Sequence, residues 1–347
     1  MSDIAIRVEG RAGRITLMRP QALNALTYDM IRAIEAALDG WAQDTAVALI
    51  VIDAAGDKAF CAGGDIADLY RTGLAGDFAF GQQFWRDEYR LNAKLAEFAK
   101  PVVTFLQGFT MGGGVGVGCH GSHRIVGDTS RIAMPECGIG LIPDVGGSLL
   151  LARAPGHLGE YFGLSAARMG PGDAIMMGFA DHYLPELHWP DLVADLETGG
   201  DPAAILHAAH PAPAADITAH HADIDAIFAG DTLTDIAGRL TASPGDFAAP
   251  ALKAIQRNAP LSMACAVTLI RRVRAAPSIR TALSQEYRFT FRAMRHGDFL
   301  EGIRAAIVDK DRNPHWQHAS LDAVTAGEVD AMMAPLGAMD LNWETET

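Results

Sequence analysis

The sequence predicts an α/β fold with a mainly helical C-terminal region, and three observations carry that prediction. Through roughly the first 200 residues, apolar runs of strand length alternate with stretches of helical spacing. Glycine-rich loops at 60–65 and 111–118 come directly after two of those runs. From Ile224 onward the apolar spacing is helical, through 251–276 and 279–309. On this reading residues 1–200 form a strand-bearing core with the active site, and residues 201–347 form the helical region.

The elements follow in order. Strand-like runs at 4–8 and 14–17 flank Glu9-Gly10-Arg11-Ala12-Gly13, a hairpin signal. A helix comes next, because Thr27 can cap it and Met30, Ile31, Ile34, Leu38 and Trp41 recur at helical spacing, with Gly40 near the end. Residues 46–52 are continuously apolar, as a strand covered on both faces is. Beyond the 60–65 loop a mixed helical stretch runs to about Lys100, and 101–106 is a second buried strand. Short strands are expected at 122–126 and 130–133, then a loop dense in glycine over 136–147. Residues 186–222, rich in proline, alanine and histidine, read as a linker or a loosely packed helical insert. His220 and His221 are adjacent there, so their rings do not converge on one metal. Residues 340–347 read as a frayed end.

Composition removes several function classes. Lys and Arg number 28 against 42 Asp and Glu, a net charge of −14, with no basic run to neutralise a phosphate backbone. Nucleic acid is therefore not an expected partner. No apolar run approaches the roughly 20 residues that span a bilayer, so no membrane is expected either. The opening Met-Ser-Asp-Ile-Ala-Ile-Arg lacks a basic start followed by an apolar stretch, and the expected compartment is the cytoplasm. Cys61, Cys119, Cys137 and Cys265 are scattered without a CxxC pair, so neither a zinc site nor a disulfide framework is indicated.

Gly116-x-Gly118-x-x-Gly121 matches a dinucleotide fingerprint, but that motif should open a helix, and Ser122-His-Arg-Ile-Val is strand-like at once. Neither GxxxxGK[ST] nor GxSxG occurs, which removes P-loop phosphate binding and the serine-hydrolase elbow. Loops of this kind can be plain tight turns, and they can also bring backbone N–H groups to a reacting carbonyl. Gly64 and Gly113, one from each loop after a buried strand, are the candidate donors. Glu136 and Asp144 follow, both beside glycines in a segment too apolar for a solvated surface, where carboxylates tend to serve as acid or base.

Four motifs in order then resemble the enoyl-CoA hydratase/isomerase (crotonase) superfamily. They are Ile15-Thr-Leu-Met-Arg-Pro-Gln-Ala-Leu-Asn-Ala-Leu26, Ala59-Phe-Cys-Ala-Gly-Gly-Asp-Ile66, Gly108-x-x-Met-Gly-Gly-Gly114 and Met134-Pro-Glu-x-x-Ile-Gly-Leu-x-Pro-Asp-x-Gly-Gly147. The resemblance implies a spiral of ββα repeats with a helical C-terminal region, with the thioester oxygen held by Gly64 and Gly113. Hydratases of this kind carry two glutamates. The second falls on Glu136, and the first, 20 residues earlier, falls on Gly116. The run Trp85-Arg-Asp-Glu-Tyr89, the pair Glu136 and Asp144, and Glu301-Gly-Ile-Arg-Ala305 with Asp309-Lys310 and Pro314-His-Trp316 resemble the 3-hydroxyisobutyryl-CoA hydrolase branch. Asp87 stands where that branch usually has a second Glu.

This resemblance implies hydrolysis of a short β-hydroxyacyl-CoA thioester, a step of valine catabolism. Glu136 would act as nucleophile or general base and Asp144 would orient the 3-hydroxyl or the water. Glu88 would lie at the acyl pocket, and CoA along Ala22, Leu23, Ala62, Gly63, Asp65 and Ile66. CoA is part of the substrate, so no separate cofactor is implied. Arg19, Lys58 and Lys100 are candidates to offset its phosphates. A hydratase or isomerase of the same fold, and a non-catalytic acyl-CoA-binding member, are the alternatives. Relatives commonly form trimers or trimer pairs, so a homo-oligomer is among the expected assemblies.

Overall fold

Among the described residues nine strands form two sheets, and both follow from the predicted alternation. In the computed structural model, which describes residues 2–343, the strands are β1 (Ile4–Glu9), β2 (Ala12–Leu17), β3 (Leu49–Ala54), β4 (Ala59–Cys61), β5 (Val102–Phe105), β6 (Phe109–Met111), β7 (His123–Val126), β8 (Arg131–Ala133) and β9 (His182–Tyr183). One sheet has the order β1-β2-β3-β5-β7-β9 and the other β4-β6-β8. Apart from the antiparallel β1–β2 hairpin, in which Ile4 faces Leu17 and Glu9 faces Ala12, every pairing is parallel. Three successive turns, β3/β4, β5/β6 and β7/β8, thus give one strand to each sheet, which is the spiral of ββα repeats that the motifs implied.

The helix expected after the hairpin is Tyr28–Ala42, and the Thr27 side chain accepts the Met30 N–H at 3.2 Å as its cap. Strand β3 starts three residues later than the apolar run, because Asp44 to Ala48 is a turn: Val47 N–H bonds the Asp44 carbonyl and Ala48 N–H bonds Arg11. Along 186–222 the structure corrects the reading from composition. Helices Trp189–Gly199 and Ala203–Ala208 are well packed, with Leu192, Leu196 and Ile205 in one buried cluster with Val103, Phe105 and Ile125. The Trp189 ring lies 5.2 Å from that of Phe105. Leucines one turn apart decide the outcome there, outweighing the prolines that delimit the helices.

Contacts group the chain into two compact units built from separated stretches. One comprises 1–65, 90–133 and 168–216, the other 66–89, 134–167 and 217–347, so residue 200 is a boundary of neither. The first unit holds both sheets. The second has helices joined by loops and no strand among its described residues, and includes the helices Gly147–Arg153, Leu158–Ser165, Pro260–Ala275 and Ile279–His296. Within it Glu160, with no exposed surface, takes a double hydrogen bond from Arg274 at 2.7 and 2.8 Å, which holds its pKa below the usual carboxylate range against burial. The expected fraying is not seen at 340–343, where Asp340 pairs with Arg288 at 3.1 Å and the Trp343 indole donates to Ser284 at 2.9 Å. Residues 344–347 lie outside the described residues.

Candidate active site

Two loops leave the carboxyl ends of adjacent strands in the small sheet. β4 and β6 run parallel with Cys61 opposite Thr110, so the 62–65 loop and the Gly112–Gly113 turn emerge at the same edge, where α/β sheets hold ligands. A side chain at position 63 would stand 3.7 Å from the Met111 carbonyl oxygen, which shows how close the loops run. Gly113 opens the helix Gly113–Gly118, so its N–H has no carbonyl within the helix to bond. The 62–65 loop is strapped to 22–26. Ala62 N–H donates to Leu23 at 3.0 Å, Leu26 N–H to Gly63 at 2.9 Å, and Asp65 N–H to Leu26 at 2.7 Å, with Leu26 bridging Gly64.

Arg19 ties these loops together. Its guanidinium donates to the Ala25 carbonyl at 2.7 Å and to Asp65 at 3.0 Å. The structure therefore brings Ala22, Leu23, Ala62, Gly63, Gly64 and Asp65 into one assembly, while Ile66 precedes the helix Ala67–Leu74 in the other unit. Of the basic candidates, Lys58 is exposed beside a small cleft with Pro20 and Asn24. Lys100 is committed elsewhere. Its ammonium donates to the carbonyls of Trp41, Asp44 and Val47 at 2.5, 2.6 and 2.8 Å, which uses all three of its protons and leaves none for a CoA phosphate.

The second unit gathers four buried carboxylates. Glu136 begins a short 3-10 turn, Asp144 ends the loop after it, Glu88 comes from the helix Phe78–Ala96 and Glu286 from Ile279–His296; they are 4, 4, 3 and 0% exposed. Among the described residues no lysine or arginine pairs with any of them. Burial therefore pushes Glu136 well above the usual range, and the charges on Asp144, Glu286 and Glu88 push it further. Burial and then Asp144 do the same to Glu88. Asp144 is pushed up to about 7 by burial, held back by the Tyr89 hydroxyl, which donates to it at 2.6 Å. Glu286 is pushed up to about 8. One oxygen of Glu136, Oε2, is buried with no hydrogen-bond partner, as suits a group reserved for a ligand.

No motif in the sequence marks the bond from the Tyr89 hydroxyl to Asp144 or the place of Glu286 among these acids. The signal for Glu286 lies in its helix, where the buried face runs Ile279, Ala282, Leu283, Glu286, Tyr287, Thr290, Ala293 and Met294. A carboxylate in the apolar stripe of an amphipathic helix needs a partner.

These shifts give stability a pH dependence whose sign is fixed. In the unfolded chain the four carboxylates lose their protons near pH 4 to 4.5; in the folded chain they keep them to higher pH, Asp144 to about 7 and Glu286 to about 8. Between these limits the unfolded state binds fewer protons, so stability is fully present below pH 4 and falls as pH rises, by up to about 1.4 kcal/mol per pH unit for each group. Denaturant unfolding between pH 5 and 7 should show this decline. Asp144→Asn should flatten it by about one group's share, and an unchanged slope would mean that Asp144 is ionised throughout.

A parallel spiral with backbone donors at one strand edge, and a separate cluster of buried acids, define an acyl-CoA enzyme of the crotonase type. The chain belongs to the enoyl-CoA hydratase/isomerase family, whose model its residues 12–333 match. A Gallus gallus protein named 3-hydroxyisobutyryl-CoA hydrolase, mitochondrial, is 36% identical over 98% of this chain and 91% of its own length. Among solved structures, an enoyl-CoA hydratase from Rhodobacter sphaeroides 2.4.1 is 57% identical with a TM-score of 0.96, covering 99% of this chain and 100% of that one. A carnitinyl-CoA dehydratase from Mycobacterium thermoresistibile is 40% identical with a TM-score of 0.95, covering the whole of both.

Proposed function

We propose that this chain hydrolyses 3-hydroxyisobutyryl-CoA to 3-hydroxyisobutyrate and free CoA, a step of valine catabolism. The observation that carries the reading is the pairing of acids: Glu136 and Asp144 lie buried in one unit with Tyr89 bonded to Asp144, while position 116, where the resemblance puts a hydratase's other glutamate, is a glycine inside the helix Gly113–Gly118. The relatives named as hydrolases match nearly the full chain.

In this reading the N–H groups of Gly64 and Gly113 receive the negative charge that develops on the thioester oxygen, at about 3 kcal/mol per donor. Glu136 acts on the thioester carbon. As a nucleophile it forms a mixed anhydride, the sulfur leaves with the bonding pair and takes up a proton as CoA thiol, and water then opens the anhydride; as a base it takes a proton from water that attacks directly. Asp144 holds the 3-hydroxyl or the water, Glu88 borders the acyl group, and CoA lies along Ala22, Leu23, Ala62, Gly63, Asp65 and Ile66. Water is the only other reactant, so no separate cofactor is proposed.

The hydratase reading has an observation of its own, the 57% identical structure described as an enoyl-CoA hydratase. One assay separates the two. Thiol release from 3-hydroxyisobutyryl-CoA is followed beside loss of the double-bond absorbance of crotonyl-CoA, and the expected result is thiol release alone. Hydration without thiol release would remove the hydrolase reading and leave the other acids to replace the one missing at 116. No helix is long and apolar enough to cross a membrane among the described residues. The four cysteines are buried and not joined in disulfides among the described residues, which supports a reducing compartment. We propose a cytoplasmic location, while the relatives carry "mitochondrial" in their names, and a homo-oligomer on the habit of the superfamily.

A further inference from the structure

We propose that Glu286 is a positioning residue for Asp144: it holds the backbone turn that carries this carboxylate, while its own helix also braces the tyrosine that fixes the carboxylate's oxygen. The inference rests on the reading above, in which Asp144 orients a reacting group.

The turn after Asp144 closes on one backbone bond of its own, from Gly147 N–H to the Asp144 carbonyl at 2.7 Å, and the N–H groups of Gly146 and Ser148 are met from outside it. Val145 sits at φ 53, a left-handed conformation that a β-branched residue adopts only when its surroundings impose it, and Gly146 follows at φ 78. The helix Gly147–Arg153 starts there with no side chain of its own as cap. Glu286 supplies what is missing from 140 residues away. One of its oxygens accepts the Gly146 N–H at 2.8 Å, and the other accepts the Ser148 N–H at 3.2 Å and the Ser148 hydroxyl. Both oxygens stand in acceptor positions, which the carboxyl fills completely once ionised, so the turn is gripped on either side of Gly147.

The same helix reaches Asp144 a second way. Thr290 is one helical turn after Glu286, and its hydroxyl oxygen lies 3.4 Å from the phenol oxygen of Tyr89, whose proton goes to Asp144 at 2.6 Å. Backbone and carboxylate of one residue are thus referred to a single rigid element. Glu286 itself has no surface exposure and is raised by burial, with Asp144 adding to the effect. A carboxylate retained at such a cost, where the packing alone would favour an apolar residue, has a task that needs two acceptor oxygens.

The test is a double-mutant cycle on thiol release from 3-hydroxyisobutyryl-CoA. Glu286→Gln keeps the shape but turns one acceptor into a donor that faces the turn's own donors. Its kcat is expected to fall about 10- to 100-fold with KM within about threefold, since most of the ground-state binding is assigned to the CoA contacts on the 22–26 and 62–65 loops, which Glu286 does not touch. In an Asp144→Asn background the same change should lower the remaining kcat by less than twofold. Equal losses in both backgrounds, or a kcat within twofold of the parent while Asp144→Asn is impaired, would overturn the inference and leave the role of Asp144 standing. Full turnover in Asp144→Asn alone would instead remove the reading beneath it. If Glu286→Gln does not fold, Ser148→Ala takes its place in the same cycle, with an expected 3- to 10-fold loss that again disappears without Asp144.

Discussion

Replacing Glu136 by glutamine is expected to lower kcat for thiol release by about 10³-fold while leaving affinity for an unreactive acyl-CoA analogue within about threefold. A positioned carboxylate that moves a proton contributes roughly 10² to 10⁴ in rate, and glutamine of the same size can neither take the proton nor attack the carbonyl. Binding should survive because the residues proposed for CoA lie on the 22–26 and 62–65 loops, held by their own hydrogen bonds and by Arg19. The loss should also carry a pH signature. Glu136 works as a base or nucleophile only when ionised, and burial with three neighbouring carboxylates holds its pKa well above the usual range. Parent kcat should therefore rise with pH above the ordinary carboxylate range as Glu136 loses its proton, and the residual rate of Glu136→Gln should lack that rise. Stopped-time thiol assays with calorimetric binding decide it: turnover unchanged in the variant would remove Glu136 from the chemistry, and loss of both turnover and binding would make it a structural acid.

Why was Glu136 legible in the sequence and Glu286 not? Glu136 and Asp144 stand in one contiguous motif whose glycines and proline set the local backbone, so a reading along the chain meets them together. The partners of Glu286 are 138 and 140 residues away, and nothing near Tyr287 marks it except a charge on an apolar helix face. The strands follow the same division. β3 and β5 are buried along most of their length and read as apolar runs. The three residues 46–48 extend the first run because they are apolar, yet Ala46 is exposed and Ala48 half-buried, and only Val47 faces the interior of the turn. In the 186–222 stretch, composition outweighed periodicity, although Leu192 and Leu196 already stood one helical turn apart. The Lys100 ammonium could not have been placed from its position, since its three acceptors are carbonyls of a turn more than 50 residues earlier.

Gly114→Ala should be more damaging than a one-methyl change elsewhere in the same unit. A Cβ at position 114 would stand 2.1 Å from the Cys61 carbonyl oxygen and 2.9 Å from its carbon, distances that real Cβ atoms essentially never show. The obstacle is backbone on both sides, so no rotamer relieves it. Either the Gly113–Gly118 helix or the end of β4 must move, by about 1 Å, to reach ordinary contact. Those two segments carry the proposed oxyanion donors, Gly113 on the helix and Gly64 in the loop that β4 feeds. A displacement of that size misaligns one donor with respect to the other, and a misplacement of about 1 Å can cost 10²-fold in rate. We expect kcat at least 100-fold lower and unfolding at a markedly lower denaturant concentration. Gly40→Ala is the matched control: it lies within the helix Tyr28–Ala42 and a Cβ there meets nothing within 4 Å, so it should leave kcat within twofold and raise stability by about 0.5–1 kcal/mol. Full activity in Gly114→Ala would mean that displacing Gly113 relative to Gly64 does not matter to turnover, and the assignment of the two as a donor pair would fail.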